Sequence, residues 1–323
     1  MSNRLEELDS LRGIASLTVV IHHTLLTLPI FLAAHQHEQI NSTIVKIFTN
    51  SPLHIIWGGH EAVILFFVLS GFVLSLPFLK GNSVYYPFYI YKRFCRIYIP
   101  YIVSILISGL LFIYLNDKNA HSFSDWFNNM WSDPITIKTV LDYTLMLSYD
   151  THNLNTVTWS LVHEMRISLF FPFLLIPIIK YDWKKSLPLC MFITLSLWVI
   201  TLNISLLISN EFLFRFIYSY SYTFYYSSFF VIGAVFGKYY NTIKSLYKRA
   251  DIKVKSFLAL VSILLYSCEW ALPGLGKLKY STLENPLNIN IFNTLIDFLI
   301  ALSVLMLFTI SLSSHRFQIV LKN

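Results

Sequence analysis

Long apolar stretches separated by short polar segments run through this sequence of 323 residues. A helix that crosses the ~30 Å hydrocarbon core of a bilayer needs about 20 mostly apolar residues. Stretches of that length recur along the chain, which predicts an all-α, polytopic transmembrane bundle with no separate soluble domain. We expect eight spanning helices, at about residues 11–34, 55–78, 94–116, 157–179, 186–208, 221–240, 255–273 and 290–312.

The longest polar interval, residues 117–156, is slightly acidic. Within it, residues 135–149 are apolar enough to form an interfacial or re-entrant helix. No internal repeat, low-complexity tract or glycine-rich phosphate loop follows from the pattern, so residues 1–323 are expected to form a single membrane domain.

Composition agrees with this pattern, since 55% of the residues are hydrophobic and 13% are charged, against about 25% charged in soluble domains. The net charge of +7 does not indicate a nucleic-acid partner, because the basic residues lie in short loops. Alternate loops hold 17 and 6 Lys or Arg residues. By the positive-inside rule, both termini are expected in the cytoplasm, with the protein in the inner (plasma) membrane and the lipid bilayer as its surroundings.

The first apolar stretch contains ionisable residues that a spanning helix normally excludes. His22 and His23 lie inside it, and Asp9 and Arg12 lie near its beginning. Arg12 and His23 are eleven residues apart, which places them on one helical face about 16 Å apart along the axis. His22 points about 100° away. His23 is therefore the histidine expected to act with Arg12.

Two further stretches carry polar groups that permit either a functional or a structural interpretation. Glu61 is expected to be a buried carboxylate near the outer end of the second span, which suggests a functional role. The alternative is that this span is a packing helix with one charged residue. At the cytoplasmic end of the third span, Arg93 and Arg96 share a face, with Lys92 beside them. Guanidinium groups bind phosphate through forked hydrogen bonds. The alternative is that these basic residues only mark the cytoplasmic end of a spanning helix, as the positive-inside rule describes.

The fourth predicted span carries two polar stripes, which favour a helix facing a wet cavity or other helices rather than lipid. One stripe contains Glu164 and the other contains His163 and Arg166. Glu164 and Arg166 do not face each other, so we expect their partners on other helices. The remaining histidines show no metal-ligand spacing; His35, His37, His54, His121 and His152 are expected at the surface or the membrane interface.

Taken in order, these segments resemble the acyltransferase family 3 membrane proteins. The resemblance covers residues 8 to about 240. It rests on Leu-Asp-Ser-Leu-Arg-Gly with Arg12 and the following His23, on Phe-Phe-Val-Leu-Ser-Gly-Phe at 66–72, and on the Arg93 and Arg96 stretch that ends in Ile-Tyr-Ile-Pro-Tyr. The resemblance also includes Thr-Trp-Ser-Leu-x-x-Glu, which ends at Glu164, and the Phe-Phe-Val-Ile-Gly run at 229–233.

The resemblance implies a membrane-bound O-acyltransferase that moves an acyl group, usually acetyl, from acyl-CoA to a carbohydrate or glycolipid hydroxyl. Acyl-CoA is then a donor substrate, and no permanently bound cofactor is expected. The counterparts of Arg12, His23, Arg93, Arg96 and Glu164 are associated with activity in the family. Family members usually have about ten bilayer-spanning helices, so this chain is expected to lack the last ones.

On this interpretation His23 is the general base, Glu164 orients it, and Arg12 either stabilises developing negative charge or holds the donor. Lys92, Arg93 and Arg96 would bind CoA phosphates. Direct transfer and a covalent acyl-histidine relay both remain open. So do two other functions: a glycolipid or small-metabolite transporter or flippase, and an inactive truncated family member.

Overall fold

The computed structural model describes residues 6–81, 83–115, 122–147, 152–271 and 286–314. Helices dominate these ranges, and the ranges contain no β-strand, which confirms the predicted all-α class. The predicted features at Arg4 and His121 and the end of the chain after residue 314 lie outside the described residues.

The longer helices supply the framework of the molecule, and shorter ones connect them. The α-helices are α1 (Glu6–Leu26), α2 (Pro29–His35), α3 (Thr43–Thr49), α4 (Gly59–Leu79), α5 (Tyr86–Leu115), α6 (Asp125–Asn128), α7 (Ile137–Thr144), α8 (His152–Asn155), α9 (Trp159–Lys180), α10 (Trp183–Leu206), α11 (Glu211–Arg249), α12 (Ile252–Tyr266), α13 (Cys268–Ala271) and α14 (Pro286–Ser313). Two 3₁₀ helices, Pro52–Ile56 and Thr156–Thr158, precede α4 and α9.

Five helical stretches in the described ranges are long and apolar enough to cross a membrane: Gly59–Leu79, Tyr86–Leu115, His152–Lys180, Trp183–Leu206 and Ile291–Ser313. Each coincides with a predicted span. A sixth is possible if α1 and α2 count as one broken span, because they meet at an angle of 113°. Pro29 begins α2 and Leu28 before it is extended, as expected for a residue that precedes proline.

The predicted count of eight spans is not confirmed. The predicted span 221–240 lies inside α11, a helix of 39 residues that is rich in serine and tyrosine and does not meet the same criterion. The predicted span 255–273 corresponds to α12, which has 15 residues, fewer than the ~20 that a bilayer requires.

The helices form two compact units, with the division inside α4 and α11. In the first unit, which contains the described residues up to Leu69 and from Tyr239 onward, α12 packs along α14. Ser262 and Ser303 lie at this contact, and each serine Oγ donates to the other residue's carbonyl oxygen, at 3.2 and 2.7 Å. Small side chains of this kind let two helices approach closely.

The second unit, Ser70–Lys238, contains the rest of α4, most of α11, and α5 to α10. Gly71 of α4 lies directly against the backbone of Phe230 in α11, where a Cβ atom would overlap that backbone. The segment before α9 lies along α5: the Tyr101 hydroxyl donates to the Tyr143 carbonyl at 2.9 Å. The predicted helix within 135–149 is present as α7.

Candidate functional site

A cavity in the first unit brings together four histidines and two glutamates. Its volume is about 40 Å³, which is room for a few water molecules. The lining residues come from α1, α2, the 3₁₀ helix Pro52–Ile56, the beginning of α4, and α13: His22, His35, His54, Gly59, His60, Glu61, Glu269 and Trp270.

His22 is a buried imidazole with a defined tautomer. Its Nδ1 lies 2.8 Å from the carbonyl oxygen of Trp57. A carbonyl can only accept, so Nδ1 carries the hydrogen and Nε2 of the neutral ring carries the lone pair. Gly59 makes this packing possible, since a Cβ atom there would lie 2.6 Å from the His22 ring. His22 is therefore held with a basic nitrogen available for chemistry.

Two tryptophans hold His54 in the wall of the cavity. The His54 ring stacks on Trp270 at 4.3 Å and lies 4.6 Å from Trp57, centroid to centroid. The side chain is 2% exposed, and burial, followed by the nearby imidazoles His22, His35 and His37, holds its pKa well below the usual 6.5. Its Nδ1 has no hydrogen-bond partner among the described residues.

Three buried carboxylates accompany these imidazoles. Glu61 is 1% exposed, Glu269 3% and Asp297 4%. Glu61 Oε1 is 3.7 Å from His54 Nε2, longer than a hydrogen bond, whereas Asp297 Oδ1 is 2.6 Å from His60 Nε2. Carboxylates at membrane depth are costly and mark functional sites by default. The predicted burial of Glu61 is confirmed.

The predicted base and its arginine also lie in this unit, on α1. The ring of His23 stands perpendicular to that of His22, with centroids 5.1 Å apart and an interplanar angle of 84°. Of these two neighbours, His22 lines the cavity, whereas His23 is not among the lining residues and is half-buried. Arg12 Nη1 bonds to Asp9 Oδ1 at 3.1 Å, one turn away on the same helix.

The other predicted residues belong to the second unit. Ser70 Oγ donates to Glu164 Oε1 at 2.9 Å, which confirms that the partner of Glu164 lies on another helix. His23 and Glu164 thus fall in different units, and their pairing stays a prediction. Near the beginning of α5, Lys92 and Arg96 are exposed and Arg93 is half-buried, and the Lys92 ammonium lies 4.2 Å from the centre of the Phe88 ring.

Arg166 in α9 forms a buried network within the second unit. Its guanidinium donates to the Met146 and Leu147 carbonyls at 2.6 and 2.8 Å and to Ser219 Oγ at 2.6 Å. The guanidinium also lies 4.3 Å from the centre of the Tyr220 ring. Its partners come from other segments, as predicted. Their arrangement ties the α7 segment and α11 to α9, which is a structural role.

The sequence prediction was wrong about His54, which is buried instead of interfacial. It also missed the roles of His35, His60, Glu269 and Asp297 in or beside the cavity. Asp297 lies inside a predicted apolar span, and that position alone is a signal of function. The clustered His, Cys, Asp and Glu side chains of the described ranges include no group of three that could hold a metal ion.

Comparison with known proteins gives two findings. The model of acyltransferase family 3, described as an acyltransferase domain, matches residues 5–321. The acyltransferase MdmB of Streptomyces mycarofaciens is 30% identical over 172 residues, which make up 52% of this chain and 38% of that protein. The chain thus matches well under half the length of this relative. No solved structure matches.

Proposed function

Because the chain belongs to acyltransferase family 3, we propose that it transfers an acyl group, most simply acetyl, from acyl-CoA to a hydroxyl of a surface polysaccharide or glycolipid sugar. The observation that carries this proposal is the cavity in which imidazoles meet buried carboxylates. Acyl transfer to a hydroxyl needs a group that removes the hydroxyl proton, and a neutral imidazole is suited to this near physiological pH.

In the proposed reaction His23 is the general base, with His22 as its neighbour at the cavity wall. The hydroxyl oxygen attacks the thioester carbonyl as the imidazole takes the hydroxyl proton, and the carbon–sulfur bond then breaks with its electron pair on the CoA sulfur. Arg12 stabilises negative charge on the carbonyl oxygen or holds the donor. General-base assistance of this kind typically contributes about 10²–10⁴-fold to the rate.

Lys92, Arg93 and Arg96 are the proposed contacts for the phosphates of the donor. Arg93 and Arg96 are one helical turn apart, so both guanidinium groups can hydrogen-bond to the phosphates of one molecule. The exposure of Lys92 and Arg96 suits a site that binds and releases a soluble donor.

The proposed location of the acceptor follows from topology. If the amino terminus is cytoplasmic, the end of α1 and the beginning of α4 lie at the outer side, where surface glycans are assembled. This arrangement keeps two routes open: direct transfer, and a relay in which an imidazole first carries the acyl group. An acyl-enzyme trapped by rapid quench with labelled acetyl-CoA alone supports the relay.

Mass spectrometry of surface glycans and glycolipids tests the proposed function. Cells would express the wild type, His23→Ala, His22→Ala or no protein, in a host that supplies its native glycans. We expect an acyl mass increment with the wild type and its loss with His23→Ala. His152→Gln, which replaces a histidine of the other unit, is the matched control. Full acylation by His23→Ala would remove His23 from the mechanism, and no increment with well-expressed wild type would refute the function.

A further inference from the structure

The contact between His60 and Asp297 has no role in the reaction as described so far. His60 belongs to the beginning of α4 and lines the cavity. Asp297 belongs to α14, more than two hundred residues later in the chain. His60 Nε2 and Asp297 Oδ1 are 2.6 Å apart, slightly shorter than the ~2.7–2.9 Å typical of charge-assisted N–H···O hydrogen bonds.

The two partners differ in exposure in the way that an acid–base pair requires. The Asp297 side chain is 6% exposed, whereas the His60 side chain is 33% exposed. Asp297 therefore holds the ring from the protein side, and the ring remains accessible from the cavity. The buried carboxylate fixes the orientation of the imidazole, as the aspartate does in Ser-His-Asp triads.

The charge of the pair decides which nitrogen of His60 carries hydrogen. A buried carboxylate in an apolar helix is strongly disfavoured unless its charge is balanced. An overall neutral pair is either imidazolium with carboxylate, or neutral imidazole with carboxylic acid. In both forms Nδ1 of His60 carries a hydrogen, because Nε2 is committed to Asp297. His60 thus presents a proton donor, in contrast to His22, whose Nδ1 is committed to a backbone carbonyl.

We propose that His60, positioned by Asp297, is a second catalytic residue of this site: the general acid that protonates the departing CoA sulfur. This inference rests on the proposed acyltransferase function. As the carbon–sulfur bond breaks, its electron pair stays on sulfur, and the Nδ1 proton of His60 moves to that sulfur. The proton that His23 took from the hydroxyl restores His60 through solvent. The sum is acyl-S-CoA plus R–OH giving acyl–O–R plus HS-CoA.

This proposal divides the two proton transfers between two imidazoles. His23 must be neutral to accept the hydroxyl proton, and His60 must carry its extra proton to protonate sulfur. The rate of the wild type should therefore fall at low pH, where the base is protonated, and again at high pH, where the acid has lost its proton. Each limb of the pH profile belongs to a different residue.

The test measures the release of CoA thiol by the purified full chain in lipid nanodiscs, with acetyl-CoA and a glycolipid extract of the native host. Profiles would run from about pH 3 to about pH 10. We expect His60→Gln to lower the maximal rate by about 10²–10⁴-fold and to abolish the alkaline limb while the acidic limb persists. Asp297→Asn should likewise reduce the fall of the rate at high pH, to a smaller extent than His60→Gln. His152→Gln should match the wild type.

Three results overturn the proposal, and they are distinguishable. Wild-type rates in His60→Gln exclude a catalytic role for this ring. A lower rate with an unchanged alkaline limb shows that His60 only maintains the structure. A wild type that neither releases CoA nor acylates the extract refutes the acyltransferase function and this inference together, whereas the first two results leave the proposed function standing.

Discussion

At the scale of single residues, the surroundings of His54 set a pH dependence of stability. The side chain is enclosed between Trp57 and Trp270, and His22, His35, His37 and Glu61 are the ionisable groups that face it. The imidazoles oppose a further positive charge, and the Glu61 carboxylate at 3.7 Å offsets this only in part. The folded protein therefore keeps His54 neutral at pH values where the unfolded chain protonates it.

The sign of the effect follows from proton linkage. Below about pH 6.5 the unfolded state binds a proton at His54 that the folded state does not, so the free energy of unfolding falls as the pH falls. We expect a slope of up to about 1.4 kcal/mol per pH unit from this residue. Unfolding temperatures in detergent between about pH 8 and pH 5, compared for wild type and His54→Gln, measure it. An equal slope in both proteins would contradict the burial of a neutral His54.

Arg166 shows what a sequence reveals about a residue and what it leaves out. Two polar stripes on an apolar helix predicted that Glu164 and Arg166 contact other elements, and the Ser70 and Ser219 contacts confirm it. The Met146 and Leu147 carbonyls that accept from Arg166 could not be predicted, because every residue offers a backbone carbonyl and no side chain identifies it. His54 was misassigned for a related reason: its enclosing Trp270 is distant in sequence.

At the scale of elements, α4 and α11 meet within the second unit at a contact that only glycine permits. Gly71→Ala would place a methyl group on the backbone of Phe230, which cannot retreat as a flexible side chain would. Overpacking of this kind typically costs about 1–3 kcal/mol. We expect a lower unfolding temperature in detergent and a lower yield of folded protein.

Gly109→Ala in α5 is the matched control for Gly71→Ala. The nearest atom to a Cβ there is Ile135 Cδ1 at 4.0 Å, an ordinary contact, and alanine favours a helix over glycine by up to about 1 kcal/mol. This variant should be as stable as the wild type or more stable. Equal unfolding temperatures for the two alanine variants would show that the helices do not approach at Gly71 as described.

Two helical segments show what the hydrophobic pattern of a sequence can and cannot predict. The predicted first span was continuous over residues 11–34, yet α1 ends at Leu26 and α2 begins at Pro29. The hydropathy of the sequence does not indicate this break, whereas Pro29 does, because the residue before a proline is disfavoured in a helix. For the helix within 135–149 the sequence left interfacial and re-entrant forms open. Tyr143 of α7 contacts Tyr101, which is about 21 Å along the helix from the end of α5, and this depth favours the re-entrant form.

At the scale of the whole molecule, the chain belongs to acyltransferase family 3, and its long apolar helices are those of a multi-pass membrane protein. Its class followed from the length and apolarity of its segments, and its family from a few short motifs in order. The number of spans was the least predictable feature. The serine and tyrosine side chains of α11 and the short length of α12 depart from the apolar, ~20-residue pattern on which counting relies.

The positive-inside pattern predicts which loops share a side of the membrane, and α5 offers a direct test. Ser83 precedes α5 and Ser122 follows it, and both are exposed. In intact cells, a membrane-impermeant thiol reagent should label Ser122→Cys and leave Ser83→Cys unlabelled until the cells are permeabilised. Wild type provides the background: Cys190 and Cys268 are buried, and Cys95 is half-buried. Labelling of both variants from outside would contradict a spanning α5.

The sharp turn between α1 and α2 also determines the order in which the cavity is assembled during synthesis. It brings His35 back to His22, with ring centroids 5.2 Å apart, and His54 and His60 follow within the next 25 residues. Contacts between residues close in sequence form early and rapidly. Asp297 and Trp270 are translated much later, so the nascent chain carries the imidazoles long before their acidic and aromatic partners exist. Synthesis must therefore pass Asp297 before the cavity and its acidic partners are complete.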